Sequence, residues 1–146
     1  MNEKHPKKSP RRRAREFAVQ ALYQTALNKR PTHEIATQTR EHSDFKNAHD
    51  ELFTHIFFGV LENQIDYMQL IRPELDRDEK LINPIEKSIL LMAVHELKAM
   101  PETPYAVIIN EAIEVTKTFG GTDSHKFING ILDKLIPTLR PNDPKR

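Results

Sequence analysis

NAHDELFTHIFFGVLENQIDYMQLI, residues 47–71, is the stretch on which the fold turns. Leu52, Phe53, Ile56, Phe57, Val60, Leu61, Ile65 and Met68 recur at three- and four-residue steps, which puts them on one face of a long helix. Gly59 sits inside that helix, where it costs up to about 1 kcal/mol against Ala. A glycine kept there predicts a close helix crossing. Pro73 closes the segment.

Downstream, Asn83 can cap a helix, Pro84 suits its first position, and Glu86 completes a capping-box-like start. Ile85, Ile89, Met92, Ala93 and Leu97 are then expected to face inward. Pro101 and Pro104 punctuate, and Thr103-Pro104 opens a helix carrying Ile108, Ile109, Ala112 and Ile113. Gly120-Gly121 is expected to stop it in the left-handed conformation. A last helix runs from about Ser124 to Leu139, with Ile128, Ile131, Leu132, Leu135 and Leu139 inward, and Pro137 is expected to kink or cut its final turn.

Upstream, residues 12–28 put Phe17, Ala18, Ala21, Leu22 and Leu27 on one face, with Arg15, Gln20 and Gln24 elsewhere. Pro31 ends that helix. Residues 32–47 are polar and predict one short, weakly held helix and a mobile connection, anchored by Ile35, Ala36 and Phe45. No run alternates apolar and polar residues between strand-like turns. The fold class is therefore all-α, about six to seven helices in two packed subdomains, roughly residues 11–72 and 74–140, sharing one core. Residues 1–10 read as a flexible basic tail, 11–140 as one helical domain, and 141–146 as a flexible tail.

Charge points to a partner. The first fifteen residues hold seven Lys/Arg against one acid, and residues 16–146 hold fifteen against twenty, so a net charge of +1 conceals a basic arm on an acidic body. Arg11, Arg12, Arg13 and Arg15 lead straight into a helix, which suits phosphate binding. The second candidate element is Phe119-Gly120-Gly121-Thr122-Asp123-Ser124-His125-Lys126-Phe127, a loop feeding a helix N-terminus whose free N–H groups can meet a phosphate. Phe119 can stack a base, and Ser124, His125 and Lys126 can reach phosphate or a 2′-hydroxyl. The same residues have plainer uses: Thr122, Asp123 or Ser124 as N-cap, Phe119 and Phe127 as core.

Catalysis finds little support. Seven histidines include no HExxH, and His33, His42, His49 and His55 read as solvent-exposed polar residues. Glu111 and Glu114 are three apart but read as a solvated face near Lys117. With no Cys, no nucleotide-binding glycine motif and no apolar run of membrane length, an enzyme, a cofactor, a metal site and a membrane span are all unexpected, and a cytoplasmic protein fits.

Three segments carry a family resemblance: residues 12–23 (Arg12-Arg13-Ala14-Arg15-Glu16 onward to Tyr23), residues 109–114 (Ile109-Asn110-Glu111-Ala112-Ile113-Glu114), and residues 123–134 (Asp123-Ser124-His125-Lys126-Phe127 onward to Lys134). Glu86-Lys87 and Glu96-Leu97 lie between them. In this order and spacing the chain resembles the bacterial transcription antitermination factor NusB family over about residues 11–141. The resemblance implies two small helical bundles that bind boxA-type single-stranded RNA jointly with NusE, a small-subunit ribosomal protein. The pair then acts with other Nus factors on RNA polymerase, so that ribosomal RNA operons are read through. It implies RNA contacts at Arg11, Arg12, Arg13, Arg15 and from Phe119 to Phe127, and NusE contacts around Glu86 and Asn83.

Two positions depart from the family's pattern, Leu91 where it usually has Arg and His95 where it has an aromatic residue. Glu96 and Glu111 are then expected to find solvent or another Lys or Arg, since an unpaired buried carboxylate costs several kcal/mol. His95 weakens the case for an aromatic contact to the ribosomal protein. Two rival readings are a protein-binding helical adaptor with a basic arm, and the RNA-binding module of a ribosomal RNA methyltransferase. For the second, no α/β catalytic half follows before Arg146.

Overall fold

The computed structural model describes residues 8–121 and 123–143. Six α-helices follow one another: α1 (Pro10–Leu27), α2 (Thr32–Arg40), α3 (Asp50–Ile71), α4 (Pro84–Ala99), α5 (Tyr105–Phe119) and α6 (Ser124–Leu139). Short 3-10 turns at Ser43–Asn47, Arg72–Glu74 and Glu79–Leu81 join them, and no strand occurs among the described residues. The all-α expectation holds.

Local chemistry sets the helix starts. The Ser9 hydroxyl accepts from the Arg12 amide at 3.0 Å ahead of Pro10, and the Asn83 side chain accepts from the Ile85 amide at 2.7 Å ahead of Pro84. His49 was not anticipated in this role: its Nδ1 accepts from the Leu52 amide at 3.1 Å and caps α3.

One contiguous apolar cluster runs through both helical groups. At its centre lies α4, buried from Ser88 to Leu97 on every side and packed against α1, α3, α5 and α6. The expected inward stripe was too narrow here, because a helix surrounded by others has no solvated face to spare. Each fully buried Ile or Leu along it contributes about 1.5–3 kcal/mol.

Elsewhere the stripe was too wide. Leu27 and Ile65 are exposed at 58% and 76%. Leu27 is the last residue of α1, and Ile65 falls roughly 130° around α3 from the line of Phe53, Val60 and Ile71. The connection after α2 is pinned, contrary to expectation. Ile35, Ala36 and Phe45 are all buried, and Phe45 joins a row of rings, Phe17–Phe45–Phe53–Phe57, with centroids 5.3, 5.2 and 5.7 Å apart.

Gly59 and Gly120 act through space rather than through φ. A Cβ on Gly59 would overlap the His95 imidazole, so the expected close crossing exists, between α3 and α4. Gly120 has an extended backbone (φ −97°, ψ 176°), and no described glycine has positive φ, which corrects the left-handed stop. A Cβ there would come within 2.9 Å of the Ser124 Cβ, so Gly120 lets α6 start close to the end of α5.

Pro137 is accommodated inside α6. Just beyond it, the buried Arg140 guanidinium donates to the carbonyls of Leu97 (2.7 Å), Met100 (3.1 Å) and Thr103 (3.0 Å) and pairs with Asp143. It thereby gives a partner to Leu97 in the last turn of α4 and a second one to Met100 at its C-cap, which already accepts from the Thr103 amide.

Candidate nucleic-acid interface

Successive residues of an α-helix point about 100° apart, so the arginines of α1 cannot share one face. Arg12 and Arg15, three apart, turn inward. Arg15 is 3% exposed and forms a two-pronged bond to Glu96 of α4, at 2.9 and 2.9 Å, with Glu111 of α5 at 3.4 Å. Arg12 grips Glu111 the same way, at 3.0 and 2.9 Å. Glu96 and Glu111 therefore have the basic partners expected for them. Arg15 itself needs correction: its guanidinium is enclosed and committed to two carboxylates, so it presents nothing to a phosphate. Arg12 keeps a partly exposed side chain but is likewise engaged.

The electrostatics agree. Burial works against the Arg15 charge, yet its hydrogen bonds and proximity to Glu96 and Glu111 raise its pKa above the usual arginine value. The Arg12 hydrogen bond lowers Glu111, and that same bond raises Arg12. Two acids and two arginines make a neutral quartet.

Arg11 and Arg13, two apart, leave α1 on opposite sides of that inward face. Arg11 is exposed, and Arg13 lines a groove of about 280 Å³ with Lys8, Glu16, Gln20, His42 and Phe119. Glu16 lies across its floor, 2.8 Å from the Lys8 ammonium and accepting from the Thr118 hydroxyl at 3.1 Å. So the structure brings together one arginine and one aromatic of the expected set, Arg13 and Phe119. Lys8, Glu16, Gln20, His42 and Thr118 were not singled out as site residues. Only the four-residue step from Arg12 to Glu16 hinted at a shared helix face.

The loop is less concerted. Ser124 Oγ accepts from the Gly121 amide at 3.3 Å. Asp123 stands at the start of α6 without a side-chain cap bond, strongly exposed and 3.7 Å from the equally exposed Lys126. His125 is half-buried. Phe127 packs against the core, and the Arg77 guanidinium covers its ring at 4.3 Å, so one ring face is already occupied. Thr122 lies outside the described residues.

On the opposite flank, Asn83 is exposed and Glu86 half-exposed at the first turn of α4. Leu91 is buried at 4% and lines a groove of about 490 Å³ with Leu22, Leu61, Pro84, Lys87 and Ser88. His95 is no surface residue. It is 3% exposed, with Nδ1 2.8 Å from the Tyr67 hydroxyl and Nε2 2.8 Å from His55 Nδ1. Burial, reinforced by the neighbouring His55, pushes its pKa down to about 4, so it is neutral at neutral pH. His55, though exposed, is thus half of a hydrogen-bonded pair.

Among the described residues no three His, Asp or Glu side chains gather as a metal cage, and no helix is long and apolar enough to cross a membrane.

Residues 12–137 match the NusB family. The transcription antitermination protein NusB of Neisseria gonorrhoeae is 65% identical over 139 residues, covering 95% of this chain and 99% of its own. That of Chromobacterium violaceum is 50% identical over 137 residues, covering 93% and 92%. Among solved structures, T. maritima NusB superposes with a TM-score of 0.76 at 30% identity, over 88% of this chain and 92% of its own. A NusB crystallised with NusE and double-stranded RNA superposes with a TM-score of 0.79 over 88% and 97%, and at 20% identity it speaks for the fold alone. With a family match across nearly all the helices and relatives this similar over their whole length, the chain belongs to the NusB family.

Proposed function

We propose that this chain acts in transcription antitermination by binding boxA-type single-stranded RNA together with the ribosomal protein NusE, on behalf of RNA polymerase and the other Nus factors. The observation that carries the reading is the groove that Arg13 shares with Phe119, in a member of the NusB family. Cations neutralise phosphates, an aromatic ring stacks an unpaired base, and the two together are what a single strand requires. Arg11 is a further exposed cation on α1, and Ser124, His125 and Lys126 form the first turn of α6, after the loop that leaves Phe119. The acidic remainder of the chain opposes indiscriminate RNA binding. NusE would bind near Asn83 and Glu86, beside the groove under Leu91. A protein of the same fold has been crystallised with NusE and double-stranded RNA, which are partners of the classes proposed here. This is a binding role that calls on no catalytic group or cofactor, and its place would be the cytoplasm.

The test is a binding titration of labelled boxA-type RNA, with and without NusE, across a salt series and against a scrambled strand. Tighter binding to the boxA strand, enhanced by NusE, is expected. Arg13→Ala should weaken binding and make the slope of log affinity against log salt shallower by roughly 0.7. An unchanged slope would remove the groove as the contact surface. No RNA binding even with NusE would leave a protein-binding adaptor.

A further inference from the structure

The geometry points to Glu111 as a positioning residue for RNA: with Arg12 it holds α5 against α1, so that Phe119 stands beside Arg13. The inference rests on the RNA-binding role proposed above and adds a residue that touches no RNA.

Two polar latches close the seam between α1 and α5. Arg12 and Glu16 are four residues apart and share one face of α1, while Glu111 and Thr118 are seven apart and share one face of α5. Arg12 grips Glu111, and Glu16 accepts from Thr118. Arg13 follows the first latch on α1, and Phe119 follows the second on α5. Both then enter the same groove. The setting of α5 along α1 therefore fixes how far the phosphate-binding cation stands from the base-stacking ring.

Glu111 also carries part of the fold. It meets Arg12 in a two-pronged, partly buried pair and stands 3.4 Å from Arg15, whose main partner is Glu96, so its substitution costs stability as well. Binding is therefore compared well below the unfolding temperature of every variant, where all are folded.

Simple charge arithmetic predicts the opposite outcome, which makes the experiment decisive. Removing an acid near a phosphate site should tighten RNA binding, and freeing Arg12 should add a contact. Here, Glu111→Gln and Arg12→Gln are each expected to bind boxA-type RNA roughly three- to tenfold more weakly. Their salt slope should match that of the unsubstituted chain, with all compared well below their thermal midpoints. Thr118→Val, which alters no charge, should weaken binding in the same way by about twofold. Tighter binding by Glu111→Gln with a slope steeper by roughly 0.7 would overturn the inference, and so would an Arg12→Gln slope shallower by that amount, since Arg12 would then be a phosphate contact. Unchanged affinity in all three variants would overturn it too. An unsubstituted chain that binds no RNA would remove the functional reading and this inference together, whereas the other outcomes remove the inference alone.

Discussion

His95 and Glu96 are neighbours on α4, almost equally buried, and they meet burial in opposite ways. Glu96 faces α1 and meets a cation, because Arg15 offers a planar fork that satisfies both carboxylate oxygens at once. His95 faces α3 and gives its charge up, because Tyr67 and His55 offer hydrogen bonds but no counter-charge. One side of α4 is tied by ions and the other by a neutral chain of rings. The difference lies in what the facing helix can donate, and depth does not decide it. It also divides the tasks of the molecule: the ionic side adjoins the seam that leads to the Arg13–Phe119 groove, and the neutral side only joins α3 to α4.

The sharpest way to break the comparison is on the ionic side. Glu96→Ala leaves the Arg15 guanidinium enclosed with Glu111 alone nearby, and it should destabilise the fold by about 3–5 kcal/mol in denaturant unfolding. A loss under about 1 kcal/mol would mean that water reaches Arg15 and that the pair resembles a surface one.

Acid should attack the neutral side first. The folded pKa of His95, about 4, lies below its unfolded value of 6.5, so between these limits the unfolded chain binds more protons. Stability is therefore whole above about pH 6.5 and falls as pH drops toward 4, by at most about 3 kcal/mol. Glu111, whose pKa Arg12 holds down, adds its loss only at lower pH, below its ordinary carboxylate range. Unfolding curves measured from pH 7 to 4 should show this limb, and His95→Phe should flatten it. A limb of equal steepness in that variant would assign the proton uptake elsewhere.

The smallest expected effect concerns shape. Gly59→Ala should improve helix propensity by up to about 1 kcal/mol, yet its methyl group would meet the His95 ring. Overpacking of this kind costs about 1–3 kcal/mol, so a net loss is expected, visible as a lowered thermal midpoint. A more stable variant would show that the ring can move aside without losing Tyr67 and His55.

The legible parts of this molecule were those written in local pattern. The cap of α4 and the limits of α6 follow from residues within one turn, and Ile35, Ala36 and Phe45 stood out as apolar residues in polar company. Family likeness supplied the functional class. What stayed hidden depends on contacts across the chain. Arg12 and Arg15 look alike in sequence to Arg11 and Arg13, and only partners 99 and 81 residues away turn them inward. The burial of α4 on every side was hidden for a related reason: a period reveals a helix with one wet face, and α4 has none along its middle. His95 looked like a surface substitution because its partners, Tyr67 and His55, come from the preceding helix.

Arg140 has a consequence for synthesis. The carbonyls it satisfies belong to Leu97, Met100 and Thr103, roughly forty residues earlier in the chain. While the chain is emerging from the ribosome, the central helix can form and collect its neighbours, but the last turn of that helix waits for a side chain not yet made. The end of α4 is thus locked by a residue that follows α6, and that lock closes only once α6 has been made.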